Sequence, residues 1–177
     1  MQPIFLIMGT PASGKSTVAR ALAQRFERGV HIPLDDVRQM VVAGRVDMSF
    51  DISDNLKLQL RLARESAAEM ALRYARAGFA VALDDFWYGD PPDADYRVDA
   101  PLHRIVLTPS LEVTLQRLYN RNPSEGSFKS LLERAVRSLH PQIAAHPKSG
   151  WCAVDSSELS VAETVDRIFQ LSQQRVS

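Results

Sequence analysis

A segment near the start of the chain has the residue types and spacing of a phosphate-binding loop. Residues 9–16 read GTPASGKS and fit the pattern G-x-x-x-x-G-K-S/T, between an apolar run and a helical pattern. Glycines let the backbone wrap around phosphate groups, while Lys15 can reach the β- and γ-phosphates and Ser16 can bind Mg²⁺. We therefore expect ATP and Mg²⁺ as cofactors. The nucleotide is expected to contact Gly9, Thr10, Pro11, Ala12, Ser13, Gly14, Lys15, Ser16 and Thr17.

A second group of charged residues follows the next predicted strand. Asp35, Asp36 and Arg38 come directly after the apolar segment 30–34, at the end of a strand where open α/β sheets bind their ligands. Asp35 could accept the proton of an attacking hydroxyl, and Arg38 could hold the substrate or spread the developing charge. The structural alternative is that an aspartate here caps a helix.

A third group, Asp84 and Asp85, ends the apolar segment 79–83. Either carboxylate could hold Mg²⁺ or position a substrate, and a purely structural role is the alternative. Trp87 in the following loop could stack on a base or an aromatic substrate, or could belong to the core. None of the four histidines shows a ligand spacing, so all are expected to be structural or exposed: His31, His103, His140 and His146.

A pair of arginines, Arg117 and Arg121, lies four residues apart where a predicted helix enters a segment rich in Gly, Pro and polar residues. They could fold over the nucleotide and stabilise the transferred phosphoryl group, which predicts a lid at about residues 117–129. Lys129 is a further lid candidate. The alternative is that they are surface arginines favoured near a helix C-terminus.

Composition and periodicity predict one domain over residues 1–177. The charges balance, with 21 basic and 21 acidic side chains, so there is no broad footprint for nucleic acid. Cys152 is the single cysteine, which excludes an internal disulfide and a cysteine-built zinc site and favours a cytoplasmic protein. The apolar start is too short to span a membrane.

Five apolar segments alternate with helical patterns, which predicts an α/β three-layer sandwich with a five-stranded parallel sheet and helices on both faces. The strands are predicted at residues 3–8, 30–34, 79–83, 103–107 and 151–154. The helices are predicted at 15–28, from 35, at 51–77, 111–120 and 128–139, and after a capping box formed by Ser160 and Glu163. The arginines at 61, 64, 73 and 76 are predicted to form a solvated face, and Pro141 and Pro147 to bound a loop.

The segments GTPASGKST and DDVRQ resemble those of the small P-loop kinases, a group with AAA-type members. It includes the polynucleotide 5′-kinase domain, chloramphenicol phosphotransferase, zeta toxin and the gluconate and shikimate kinases, and the polynucleotide kinase domain is the most similar. The resemblance implies a P-loop NTPase fold with a short helical lid. It implies that Asp35 is the general base and that Asp85, rather than Asp84, serves metal and substrate. It also implies roles for Arg38, Arg117 and Arg121, and it places Asp155, Ser156 and Ser157 near the adenine.

These observations predict a kinase that transfers the γ-phosphoryl group of ATP to a hydroxyl group. A small-molecule acceptor is favoured over a polynucleotide 5′ end because the chain carries no net charge. The substrate is expected to contact Asp35, Arg38, Asp85 and Trp87. The alternatives are a nucleotide-hydrolysing switch and a nucleotide-binding module without catalysis. The switch is disfavoured because no N-K-x-D motif is present and the third strand ends in Asp-Asp rather than Asp-Glu.

Overall fold

In the computed structural model, which describes residues 1–86, 96–121, 127–145 and 150–173, the chain folds around a parallel sheet. The sheet in this part of the chain has five strands in the order β2-β3-β1-β4-β5, and every neighbouring pair is parallel. The strands are β1 (Ile4–Gly9), β2 (Gly29–Pro33), β3 (Ala80–Phe86), β4 (Leu102–Leu107) and β5 (Trp151–Val154). The predicted parallel α/β sheet is confirmed.

Helices cover both faces of this sheet. They are α1 (Lys15–Ala23), α2 (Leu34–Gln39), α3 (Asp54–Arg76), α4 (Leu111–Asn120), α5 (Ser127–Ala145) and α6 (Val161–Gln173). Strand β1 is buried along its whole length because it is central and has helices on both sides. No helix in the described ranges is long and apolar enough to cross a membrane.

The side chains of β1 alternate between two separate cores. Ile4, Leu6 and Met8 join the core that contains the buried side of α3, whereas Phe5 and Ile7 join the core beneath α1 and α6. This alternation follows from the two-residue period of a strand. Consecutive residues at the end of any strand of this sheet therefore face different helices.

The first helix is shorter than predicted. It ends at Ala23 rather than at residue 28, and Gly29 begins β2. A Cβ atom at Gly29 would lie 1.9 Å from the carbonyl oxygen of Ala23, so only glycine fits this close approach. Phe26, predicted to lie on the helix, packs against the α1 core from the turn instead.

The fifth helix is longer than predicted. It was expected to stop before Pro141, but it continues to Ala145 with Pro141 inside it. Proline removes one helical hydrogen bond, so the continuation needs compensation from packing. Leu139 and Ile143, on either side of the proline, are both buried and provide this packing. Pro147 lies outside the described residues.

One arginine of α3 departs from the predicted solvated face. Arg61, Arg73 and Arg76 are exposed, but Arg64 is buried. Arg64 lies four residues from both Leu60 and Ala68, which are buried too, so it is on the side of α3 that faces the sheet. Its charge is compensated at the end of β3, as described below.

Candidate nucleotide and metal site

The phosphate-binding loop connects the end of β1 to the start of α1. A Cβ atom at Gly9 would lie 2.5 Å from Ser13 Oγ and 3.2 Å from the Leu107 carbonyl oxygen, so a larger residue there would have to displace Ser13 and crowd Leu107. Ala12 and Gly14 both have left-handed backbone angles, with φ of 61° and 95°. A backbone curved in this way forms a concave surface suited to anions.

Helix α1 begins directly after this loop. Gly14 is its N-cap residue and provides no side-chain hydrogen bond, so the first N–H groups of the helix are not capped by that side chain. Lys15 and Ser16, in the first turn, are partly buried, and Thr17 is exposed. The loop residues predicted to bind phosphate therefore lie together at the carboxyl end of the central strand.

A hydrogen-bonded chain joins Ser16, Asp84 and His31. Ser16 Oγ donates to Asp84 Oδ1 at 2.8 Å, and His31 Nε2 lies 2.5 Å from Asp84 Oδ2. Asp84 is on β3, the strand between β1 and β2, and its side chain is only 5% exposed. The predicted magnesium residue Ser16 thus has a buried carboxylate as its partner.

This contact favours Asp84 over Asp85 as the metal-binding aspartate at the end of β3. Asp85 was expected to serve the metal, but Asp84 is the residue beside Ser16. Because side chains alternate along a strand, Asp84 faces the α1 layer and Asp85 faces the α3 layer. Asp85 contacts Arg64 of α3 instead, at 2.8 Å from Arg64 Nε to Asp85 Oδ2.

Asp85 is a buried carboxylate whose oxygens already have hydrogen-bond partners. Besides Arg64, it accepts hydrogen bonds from the Tyr96 hydroxyl at 3.1 Å and from the Phe86 N–H at 2.7 Å. Burial raises the pKa of Asp85, and the Arg64 charge and these hydrogen bonds offset part of that effect. Burial also raises the pKa of Tyr96 well above its usual range, with a further contribution from Asp85. A substrate contact with Asp85, as predicted, would have to replace partners it already has.

Asp35 and Arg38 lie on α2, at the end of the edge strand β2. Helix α2 starts at Leu34 with Pro33 as N-cap, so Asp35 lies inside the first turn and does not cap the helix. The Asp35 side chain is 66% exposed and its Oδ1 is 3.8 Å from Arg38 Nη1. Arg38 is 11% exposed and also donates to the Val46 carbonyl at 3.3 Å. The exposed carboxylate of Asp35 therefore lies close to the guanidinium of Arg38, which is held by Val46. Both residues follow the carboxyl end of β2, at the same edge of the sheet as the phosphate-binding loop.

Arg117 contacts the phosphate-binding loop from α4. Its Nη1 donates to the Ser13 carbonyl at 3.2 Å, and its Nη2 donates to the Ser156 carbonyl at 2.8 Å. Arg117 therefore bridges the loop and the β5–α6 connection rather than standing free on a lid. Arg121 follows α4 as its exposed C-cap residue. Of the predicted lid, residues 122–126 lie outside the described residues.

The β5–α6 connection is shaped by its own side chains. Asp155 Oδ1 accepts hydrogen bonds from the Ser157 N–H at 2.9 Å and from its hydroxyl at 2.5 Å, and Ser157 Oγ accepts from the Ser110 N–H at 2.8 Å. Ser156, between Asp155 and Ser157, lines a cleft beside the phosphate-binding loop. Asp155 and Ser157 therefore hold the connection in place.

A cleft of about 370 Å³ opens between the loop, α4 and the start of α6. Its lining combines predicted and unpredicted residues: Ala12, Ser13, Gly14, Thr17, Val18, Arg117, Asn120, Arg121, Ser156, Leu159, Val161 and Thr164. The mixture of apolar side chains and a few polar groups is typical of a small-molecule site. Its position beside the phosphate-binding loop suits the base and sugar of a nucleotide.

Sequence reasoning missed His31 and Arg64. Both are polar residues within otherwise apolar patterns, His31 between Val30 and Ile32 on β2 and Arg64 beside Ala63 on α3. The sequence signal for such a residue is a polar side chain on a face that is otherwise apolar, but the aspartates that bind His31 and Arg64 are distant in sequence.

Trp87, predicted to contact substrate, lies outside the described residues, as does its neighbour Tyr88.

The donor set beside the loop fits magnesium. Ser16 supplies a hydroxyl and Asp84 a carboxylate, both hard oxygen ligands. No group of three or more His, Cys, Asp or Glu residues that could hold a metal occurs in the described part of the chain. Mg²⁺ in phosphoryl-transfer proteins is commonly bound by one or two protein oxygens together with phosphates and water, so this small set is sufficient.

The fold and the loop define a P-loop nucleotide-binding domain. The profile of a family described as an AAA domain matches residues 4–145, and the chain belongs to that family. None of the curated proteins searched matches the chain. The predicted resemblance to small P-loop kinases is confirmed for the family and the fold.

Solved structures of similar fold cover nearly the whole chain. A sugar kinase from Janibacter sp. HTCC2649 is 20% identical with a TM-score of 0.67, covering 96% of this chain and 94% of that one. A shikimate kinase from Bacteroides thetaiotaomicron is 16% identical with a TM-score of 0.66, covering 97% and 98%. A gluconokinase from Sinorhizobium meliloti 1021 is 19% identical with a TM-score of 0.64, covering 97% and 94%. At these identities the likeness establishes the shared fold.

Proposed function

We propose that this protein is a kinase that transfers the γ-phosphoryl group of ATP to a hydroxyl group of a small molecule. The observation that carries the proposal is the Ser16–Asp84 contact at the end of the phosphate-binding loop. It pairs the hydroxyl of Ser16, the residue after Lys15, with a buried carboxylate, and P-loop proteins use such a pair to hold the magnesium of a nucleotide complex. An ATP-dependent reaction also fits a cytoplasmic location.

The donor half of the site binds and orients the nucleotide. The loop N–H groups and Lys15 would neutralise the β- and γ-phosphates, and Ser16 and Asp84 would hold Mg²⁺. The metal, when bound, supplies positive charge that offsets charge developing on the phosphate oxygens. Arg117 keeps the loop and the β5–α6 connection together, since it donates to Ser13 and Ser156. Arg121, exposed beside the cleft, would stabilise charge on the transferring group.

The acceptor half of the site removes a proton. Asp35 would accept the proton of the acceptor hydroxyl while the hydroxyl oxygen forms a bond to the γ-phosphorus. The bond from that phosphorus to the β–γ bridging oxygen breaks, and ADP leaves with the bonding electrons. Arg38, 3.8 Å from Asp35, would orient that carboxylate or the acceptor. A contact between Trp87 and the acceptor remains a prediction.

A small hydroxylated molecule is the favoured acceptor. The structures of similar fold include a sugar kinase, a shikimate kinase and a gluconokinase. The balanced charge of this chain also offers no general attraction to a polynucleotide. A 5′-hydroxyl oligonucleotide represents the disfavoured acceptor class, so its effect is compared with that of small hydroxylated molecules.

The test is ADP release from Mg²⁺-ATP with a panel of sugars, sugar acids, cyclic polyols, nucleosides, hydroxylated antibiotics and 5′-hydroxyl oligonucleotides. We expect stimulation by a small hydroxylated compound. Equal ADP release with and without every acceptor would instead support the alternative of a nucleotide-hydrolysing protein. Stimulation by oligonucleotides alone would reject the small-molecule acceptor.

A substitution of the proposed base, Asp35, distinguishes an effect on phosphoryl transfer from an effect on ATP binding. Asp35→Asn should lower kcat by about 10²–10⁴-fold, because the amide cannot accept the proton, and should leave ATP affinity nearly unchanged. Asp36→Asn, the adjacent exposed carboxylate of the same helix turn, is the matched control. Retention of normal kcat by Asp35→Asn would remove Asp35 from this role.

A further inference from the structure

His31 lies on the strand next to the one that carries Asp84, and on the same face of the sheet. In the parallel register, His31 is opposite Ala82 and Pro33 is opposite Asp84. His31 and Asp84 are therefore diagonal neighbours across β2 and β3, a distance that a long side chain can bridge. Val30 and Ile32, on either side of His31, face the other core. The strand period thus directs His31 toward the α1 layer and the proposed metal site.

Each oxygen of Asp84 has a different partner. Oδ1 accepts from the Ser16 hydroxyl at 2.8 Å, and Oδ2 lies 2.5 Å from His31 Nε2. A carboxylate oxygen only accepts, so Nε2 carries the hydrogen and donates it. One bond comes from a residue of α1 and the other from a residue of β2. Together they fix both the position and the rotation of the carboxylate.

Because Asp84 is buried and His31 is partly buried, the loss of their hydrogen bond would change the orientation of the Asp84 carboxylate. The side chains of Asp84 and His31 are 5% and 18% exposed, so water has little access to replace a lost partner. Residues that hold a metal-binding carboxylate in place commonly affect metal affinity, although they do not touch the metal. A histidine is not required to hold β2 against β3, because the backbone ladder already pairs the two strands from Gly29 to Pro33.

We propose that His31 is a positioning residue for the metal site, which orients the Asp84 carboxylate so that Asp84 and Ser16 bind the Mg²⁺ of the nucleotide complex together. This inference rests on the proposed function in assigning Mg²⁺ to Ser16 and Asp84. It adds a third residue, from a strand that carries no part of the phosphate-binding loop. His31 sets the metal affinity without contacting metal or nucleotide.

The experiment measures Mg²⁺-dependent ADP binding by calorimetry, with no acceptor present. His31→Leu should raise the Mg²⁺ concentration needed for half-maximal enhancement of ADP affinity by about 10–100-fold. His31→Gln, which keeps an N–H donor of similar reach, should restore most of the lost affinity. ADP affinity in EDTA should be the same for all three proteins. Electron paramagnetic resonance of Mn²⁺ bound with ADP should rank the variants in the same order.

His103→Leu is the matched control. His103 is also on a strand, but it stacks on Phe5 near the start of β4, at the opposite end of the sheet from the loop. This variant should leave the Mg²⁺ dependence of ADP binding unchanged, whatever its effect on thermal stability. A general loss of stability would lower the melting temperature of both histidine variants without shifting the Mg²⁺ titration.

The outcomes separate this inference from the proposed function. A folded His31→Leu protein with the wild-type Mg²⁺ titration would overturn the inference, and so would a wild-type protein whose ADP binding ignores Mg²⁺. If His31→Leu does not fold, His31→Asn replaces it; its shorter amide should not reach Asp84, so a wild-type titration for it would be equally contradictory. Failure of the wild-type protein to phosphorylate any acceptor would refute the kinase proposal alone, since the Mg²⁺ titration needs no acceptor.

Discussion

Asp84 and Asp85 are identical side chains at adjacent positions, yet their surroundings have little in common. Asp84 contacts a hydroxyl and a histidine at the edge of the phosphate-binding loop, whereas Asp85 is closed in by Arg64 and Tyr96. The difference follows from the alternation of side chains along β3. We therefore expect Asp84 to serve ligand binding and Asp85 to serve stability.

Replacing each aspartate by asparagine tests whether Asp84 serves ligand binding and Asp85 serves stability. Asp84→Asn should weaken Mg²⁺-dependent nucleotide binding and reduce turnover by at least about 10²-fold, with a modest effect on stability. Asp85→Asn should lower the free energy of unfolding, because it leaves the buried Arg64 charge without its carboxylate. Calorimetric nucleotide titrations and urea unfolding of both variants give the comparison. The reverse pattern would assign the metal to Asp85.

At the scale of elements, the Arg64–Asp85 ion pair attaches α3 to the end of β3. Arg64 is 9% exposed and its Nε donates to Asp85 at 2.8 Å. Arg64→Met should cost about 3–5 kcal/mol, because an uncompensated carboxylate stays buried. The double variant Arg64→Met/Asp85→Leu should recover much of that loss. Urea unfolding of the single and double variants measures the coupling, and additive losses would show that the pair is not coupled.

The capping box of α6 was predicted and is present. The Glu163 N–H donates to Ser160 Oγ at 3.2 Å, and the Ser160 N–H donates to Glu163 Oε2 at 2.8 Å. Hydrogen bonds from the Ser160 side chain and backbone lower the pKa of Glu163. A carboxylate whose pKa is lowered on folding stabilises the protein above its unfolded pKa, and this contribution disappears as the pH falls through the folded pKa.

Two variants test this helix start. Ser160→Ala should lower the free energy of unfolding by about 1 kcal/mol at neutral pH. Glu163→Gln should be less stable than the wild type at neutral pH, and the difference should vanish in acid once the wild-type carboxyl is protonated. Urea unfolding of both variants across the acidic range provides the measurement. A Glu163→Gln deficit that does not change with pH would contradict the assignment.

For the whole molecule, a nucleotide that binds only the folded state should raise its stability. At a concentration of Mg²⁺-ATP about 100 times the dissociation constant, the gain is about 2.7 kcal/mol. For a domain of this length, that gain corresponds to a rise of about 5–10 °C in melting temperature. Lys15→Ala should abolish most of the rise, whereas Arg20→Ala, an exposed cation on the same helix, should retain it. Equal shifts for both variants would contradict phosphate binding by Lys15.

Sequence periodicity predicted the elements well and their ends less well. The five strands and the parallel sheet were recoverable because central strands are apolar throughout and helices repeat every three to four residues. The end of α1 and the passage of α5 through Pro141 were not recoverable. The first depends on a contact between Gly29 and Ala23, and the second on packing of Leu139 and Ile143.

By itself, the sequence determined the phosphate-binding loop, because its glycines, Lys15 and Ser16 act through a backbone conformation that is local. It also determined that carboxylates lie just after the end of β2 and at the carboxyl end of β3. Only the tertiary structure decided that Asp84 meets Ser16, that His31 reaches Asp84 and that Arg64 is buried against Asp85. These contacts depend on which face of each strand meets which helix, and that is settled by packing between segments far apart in the chain.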